Sequence, residues 1–248
     1  MKMKEHILLG DWTKETLDAL LEESSSFPDI RSRIDFLSQQ FLGVPYKEST
    51  LTGDVNTDEV FVINLKELDC FTFIDYIESL RVSKSFSEFR KHLVKFRYQN
   101  GEISYAMRNH FFTDWKEFNS ELIHDVTEVV AETKSIRITK TLNERGDMSR
   151  FLPGVPCRER EIVYIPSHAV DDDILSGLRT GDYIGIYSER RGLDVSHVGI
   201  FVRNNNAFLR HASRRHGEVV DEEFHQYMSD KPGIIVMRPK SWSGNRSK

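Results

Sequence analysis

The sequence predicts an α+β fold in which one helix, beginning at a cysteine, packs on an antiparallel sheet, with further helices ahead of it. Three observations carry this. Residues 60–65 form a run rich in β-branched and aromatic side chains, which reads as a buried strand. Beyond the turn pair Leu68-Asp69, Phe73, Ile74, Ile77 and Leu80 recur at helical spacing, with Asp75, Glu78 and Arg81 on the other side. In the last third, residues 181–187 and 196–202 alternate as strands do, and three asparagines at 204–206 turn the chain into 207–213. No linker, repeat or low-complexity tract divides the chain, so residues 1–248 read as one domain, with a helical N-terminal part (1–45) and an insertion at about 101–170.

Taken in order, Trp12, Thr16, Leu17, Leu20 and Leu21 outline a first amphipathic helix that stops at the serines before Phe27-Pro28. Asp29 suits the cap of a second, whose stripe is Ile30, Ile34, Leu37 and Phe41, and Gly43 and Pro45 end it. A polar loop containing Gly53 leads to the strand before Cys70. After the Cys70 helix, Phe86, Phe89, Leu93 and Phe96 predict another, and Asn100-Gly101 reads as the turn of a hairpin. Periodicity is poor from about 121 to 170, apart from an alternating stretch at 135–139. Asp171-Asp172-Asp173 reads as the solvated cap of a short helix ending at Gly177 rather than as a metal site. Gly217 to Val220 and Gly233 to Arg238 supply two further strands, linked through Tyr227.

Composition narrows the function classes. A net charge of -5 and no Lys/Arg stripe with interleaved aromatics argue against a nucleic-acid binder. Near the N-terminus only Ile7-Leu8-Leu9 is apolar, short of a signal-peptide core, and no run is long enough to span a membrane. The chain as written therefore reads as cytoplasmic, with the periplasm or cell envelope as the alternative if a leader preceded it. Cys70 and Cys157 show neither CxxC spacing nor a Cys-dense framework, so reduced thiols are expected, with no cofactor.

Cys70 is the residue around which a site can be built. Asp69 as N-cap would place it in the first helical turn, where free amides and the helix dipole stabilise a thiolate. A thiolate that attacks an amide needs an imidazole to take and return its proton, and a third polar group to orient that ring. His197 and His211, one hairpin crossing apart on neighbouring strand-like segments, can share a face and supply both. Taken alone, Cys70 reads more readily as an inert core residue and each histidine as a surface or satisfied core residue, and their coincidence reverses that; Cys157, between Pro156 and Arg158 with no imidazole nearby, reads as incidental.

With Asp69-Cys70 at a helix start, Ser196-His197-Val198-Gly199 on one strand and His211-Ala212-Ser213 on the next, the chain resembles the NlpC-type branch of papain-like cysteine peptidases and amidases. The stretches 41–46, 64–73, 108–115 and 192–199 are similar, more narrowly, to the bacterial N-acetylmuramoyl-L-alanine amidase-like family, while 146–160 is unusual for it. The resemblance implies a metal-free cysteine amidase acting on muropeptides or peptidoglycan fragments, with Cys70 as nucleophile, His197 as general base and His211 as third member. Read from the residues themselves, Tyr46, Arg108, His110, Asp114 and Trp115 are candidate cleft residues, and Asp69 is either a substrate anchor or the N-cap, which alone explains it. Arg108 would pair with a stem-peptide carboxylate and Trp115 would stack on a sugar, though an aromatic cluster with a charged rim explains the 108–115 loop equally well. Three rivals stay open: a γ-D-glutamyl-diamino-acid endopeptidase with the same catalytic group, a zinc hydrolase using Cys70, His197 and His211, and a non-catalytic muropeptide-binding module.

Overall fold

The helix that begins at Cys70 is buried from Thr72 through Arg81, and the other elements are arranged around it. The computed structural model describes residues 4–241. Ahead of that helix come β1 (Glu5–Leu8), α1 (Lys14–Ser25), α2 (Ile30–Gln39), β2 (Thr52–Asp54) and β3 (Thr57–Asn64); the helix itself is α3 (Cys70–Arg81). The middle of the chain forms α4 (Phe86–Arg97), α5 (Phe112–Phe118), β4 (Ile123–Asp125), α6 (Thr127–Ala131), β5 (Ile136–Leu142), β6 (Arg158–Pro166) and α7 (Asp172–Gly177). The last third is β7 (Tyr183–Tyr187), β8 (Val195–Asn204), β9 (Asn206–Ser213), β10 (Glu218–Glu223), α8 (Phe224–Met228) and β11 (Gly233–Pro239).

The main sheet runs β10-β9-β8-β7-β11-β6-β5, antiparallel throughout, with β4 paired to β11. Both of its faces are covered. Tyr183, Val198, Ile200 and Ala212 face one core with α1 to α5, whereas Ile184, Ile186, Phe201 and Leu209 face a second core with α6 to α8. Alternation along each strand assigns neighbours to opposite cores. A second, three-stranded sheet holds β3 between β1, which is parallel to it, and β2. The sequence reading has no strand at β1, because its four residues are too few to show a period.

Three other expectations change in the folded chain. The polar side of α3 is not solvated: Asp75, Glu78 and Arg81 are all buried. Asp75 accepts from Arg97 Nε at 3.0 Å and Trp115 Nε1 at 3.0 Å, while Glu78 takes the Arg81 guanidinium and the Tyr183 hydroxyl. A polar side can go inside when each charge finds a partner there. The hairpin at Asn100-Gly101 does not form, and residues 99–101 make one 3-10 turn. The helical stripe of α4 continues to Arg97, which Asp75 and the Val62 carbonyl hold in place, so no extended arm precedes the turn. Finally, the 101–170 stretch contributes β4, β5 and β6 to the main sheet. β5 is an edge strand, mostly exposed or half-buried, so its hydrophobic alternation is weak.

Candidate active site

α3 starts where the sequence places it, because Asp69 closes a capping box. Its Oδ1 accepts the N–H groups of Phe71 at 3.1 Å and Thr72 at 2.8 Å, and Thr72 Oγ1 takes the N–H of Asp69 at 3.0 Å. Cys70 is then the first helical residue, half-buried, at the end of a helix that packs on β8, with the backbone N–H of Val198 near enough to favour its thiolate. The sequence expectation of a depressed thiol pKa fails. Burial pushes the Cys70 thiol up to about 12, and the Asp69 carboxylate adds to the rise, while the N–H groups of Val198, Cys70 and Phe71 act the other way. Amides at a helix end stabilise a thiolate, but enclosure and an adjacent anion outweigh them here.

The two histidines meet through sheet register. Ile200 of β8 pairs with Arg210 of β9, so one step further Gly199 faces His211, and His197 lies on the same face two residues along. A side chain at 199 has no room, since a Cβ there would sit 2.8 Å from Leu209 Cδ1 and 3.0 Å from both the Arg210 carbonyl oxygen and the His211 Cβ. His197 Nε2 and His211 Nδ1 are 2.7 Å apart, and His211 Nε2 is 2.8 Å from Glu222 Oε2. Glu222 reaches this spot from β10, where Val220 pairs with His211 and Glu222 follows on the same face. Sequence reasoning missed it, having ended that strand at Val220; carrying the hairpin register two residues further would have found it.

This chain of contacts fixes protons. An ionised carboxylate only accepts, so His211 carries its hydrogen on Nε2 and presents a lone pair at Nδ1. His197 must therefore donate from Nε2, which leaves its Nδ1 unprotonated and able to act as a base. Burial, with His211 and Lys231 adding, pushes His197 down to about 3, and burial also lowers His211. Thiol and imidazole are each held in their neutral forms, not as a preformed thiolate–imidazolium pair.

Two tyrosines enclose the group. The Tyr227 ring lies 5.0 Å from His211 and 6.3 Å from His197, centroid to centroid. Tyr46 is half-buried, held by backbone bonds from its N–H to Gly217 and from Lys47 to Leu68. Burial raises the pKa of both phenols, with the nearby Cys70 contributing. Tyr46 and Asp69 thus lie beside Cys70, as does Tyr227, which the sequence reading had assigned only to a link.

The 108–115 loop is built for structure. Trp115 is fully buried, bonded to Asp75 and stacked on Phe112, so it has no face to offer a sugar. Asp114 is buried and bound by Arg160 at 2.6 Å. Arg108 spends its guanidinium on Glu59, through Nε at 2.7 Å and Nη2 at 2.6 Å, leaving no fork for a substrate carboxylate. His110 donates to the Tyr105 carbonyl at 2.7 Å, with burial pushing its pKa down to about 4. Aromatics and charges mixed in one loop looked like a cleft, but each charge has an internal partner. Among the described residues, no three His, Cys, Asp or Glu side chains are placed to hold a metal ion.

A family model described as N-acetylmuramoyl-L-alanine amidase-like matches residues 36–234. No curated protein matches. Among solved structures, an N-acetylmuramoyl-L-alanine amidase from Bacteroides uniformis superposes with a TM-score of 0.72 at 27% identity, over 86% of this chain and 99% of that one. A Legionella pneumophila protein superposes with a TM-score of 0.79 at 23% identity, over 92% and 94%, which speaks to the fold. A Bacteroides fragilis protein described as a candidate xylanase does so with a TM-score of 0.68 at 28% identity, over 81% and 98%.

Proposed function

Because the chain belongs to the N-acetylmuramoyl-L-alanine amidase-like family, we propose that it is a cysteine amidase of the NlpC-type, papain-like kind. Its substrates are peptidoglycan fragments, and it cuts the amide between the lactyl group of N-acetylmuramic acid and L-alanine. The observation that carries the cysteine dependence is the ordered run from Glu222 through His211 to His197, which leaves an unprotonated Nδ1 on the strand against which the Cys70 helix packs.

In this reading His197 Nδ1 takes the thiol proton as Sγ bonds to the lactyl carbonyl carbon, so the thiolate never has to exist alone in the site. The N–H of Cys70, which the Asp69 cap does not engage, donates to the carbonyl oxygen as it becomes negative. Imidazolium charge on His197 spreads along the hydrogen bonds to His211 and Glu222. His197 then protonates the departing L-alanine amine, the C–N bond breaks, and a thioester remains on Cys70. Water, deprotonated by His197, opens the thioester and restores the thiol.

Mass spectrometry of products from N-acetylmuramoyl-peptides, run beside a Cys70→Ala control, tests this. Release of a peptide beginning at L-alanine, absent in the control, supports the amidase. A shorter stem fragment would move the cut to the γ-D-glutamyl bond. Hydrolysis of xylo-oligosaccharides would replace the reading altogether; a glycosidase needs two carboxylates free to flank a sugar bond, and here Glu222 is joined to His211 and Asp69 to the α3 cap. No Cys70-dependent product on any stem length would leave a muropeptide-binding module.

A further inference from the structure

We propose that the protein has a second ligand site, for a phosphate-bearing anion, in the hollow at the C-terminal end of α3. This hollow, of about 1510 Å³, lies between the start of α2, the end of α3 and the end of β11. It is separate from Cys70: the twelve residues of α3 put its two ends about 16 Å apart. It is an open hollow with room for a ligand larger than a single phosphate.

The argument rests on charges that the fold leaves unanswered. Arg33 on the wall gives Nη2 to the Ser83 carbonyl at 2.6 Å, while its Nε is buried with no partner at all. No carboxylate pairs with it among the described residues, and burial together with the neighbouring Arg81 guanidinium pulls its pKa below the usual arginine range. The other buried cations around it are already matched. Arg81 is paired with Glu78, and Arg238 with Asp182 at 2.7 Å. Lys84 and Arg179 stand exposed on the same wall, again with no carboxylate partner among the described residues.

The rim carboxylates Asp29, Glu88 and Asp125 make no ion pair with Arg33, Lys84 or Arg179 among the described residues, and each instead accepts a nearby backbone N–H. Asp29 accepts the N–H of Ser32 at 2.9 Å, Glu88 that of Lys84 at 2.8 Å and Asp125 that of Thr127 at 2.9 Å. The chain as a whole carries a net charge of -5, so a cationic hollow is a local feature and not the overflow of a basic surface. Two guanidinium groups and an ammonium lining one concavity, one of them half-buried with an unused donor, match the several acceptor oxygens of a phosphoester or diphosphate. Half-buried like charges are costly unless an anion joins them.

Isothermal titration calorimetry of the full chain with inorganic phosphate, pyrophosphate and long-chain polyphosphate tests the site. Saturable binding of pyrophosphate is expected, weakening as salt rises, and lowered at least tenfold by Lys84→Gln combined with Arg179→Gln. Both of these residues are exposed, so this variant folds; Arg33→Gln, checked by circular dichroism, should lose binding as well. Polyphosphate binding no tighter per site than pyrophosphate indicates a small phosphorylated molecule, and much tighter binding indicates a phosphate-rich polymer; both support the site. Absence of saturable binding with all three probes, or wild-type affinity in the double variant, would overturn it.

Discussion

The two ends of α3 meet opposite electrostatic demands with the same helix. At the N-terminal end the free amides point at Asp69 and Cys70, and a carboxylate occupies the cap. At the C-terminal end a carbonyl just past the helix, that of Ser83, accepts from Arg33, and Arg81 in the last turn reaches the Lys240 carbonyl beyond β11. The first end keeps its reactive groups neutral, with the thiol raised and His197 lowered. The second end holds more positive charge than its acids neutralise. The difference shows that a helix dipole sets only a bias; burial and the nearest charge decide the protonation state.

The sharpest way to break this comparison is at the base. His197→Ala should lower amide hydrolysis by about 10²–10⁴-fold, the range for loss of a positioned general base, read as kcat on a muropeptide. A small loss would mean that the proton leaves the thiol by another route. At the far end, Arg81→Leu strands Glu78 in the core and should cost about 3–5 kcal/mol in urea unfolding. A cost under 1 kcal/mol would show that water or a rearranged side chain compensates there.

Glu222→Gln addresses the tautomer. An amide can donate as well as accept, so His211 would no longer be held with its proton on Nε2. We expect kcat to fall about tenfold, ~1.4 kcal/mol of barrier, with KM little changed and a shifted acid limb of the pH profile. A smaller effect comes from pH. His197 is pushed to about 3 in the fold against 6.5 as its ordinary value, so between these pH values the unfolded chain binds a proton that the folded chain refuses. Stability is therefore full above 6.5 and falls as pH drops, by up to about 1.4 kcal/mol per pH unit from this group. Urea titrations from pH 7 to 4 should show a flatter slope in His197→Gln.

The mildest change is Asp69→Asn. Asparagine caps as well as aspartate, so stability should stay within about 0.5 kcal/mol, yet removing the carboxylate should speed iodoacetamide alkylation of Cys70 a few-fold. Unchanged alkylation would mean that burial alone raises the thiol.

Local signals in the sequence were enough to mark the Asp69 cap, the helix after it, the strand before it and the meander from β7 to β10, because caps and periods of two or 3.6 are written in neighbouring residues. They also brought Cys70, His197 and His211 forward. They failed at β1 and β5, where a strand is four residues long or lies at an edge, and at Trp115 and Arg108, whose partners Asp75 and Glu59 lie far away in the chain.

What the sequence determined by itself was therefore the placement of a cysteine at a helix start and of two histidines on adjacent strands, since turn chemistry and alternation are local. Only the tertiary structure decided that Glu222 completes the row, that Cys70 and His197 rest in their neutral forms, and that the loop aromatics serve the core. Those outcomes depend on which groups from distant segments surround each side chain, and on how much water is left beside it.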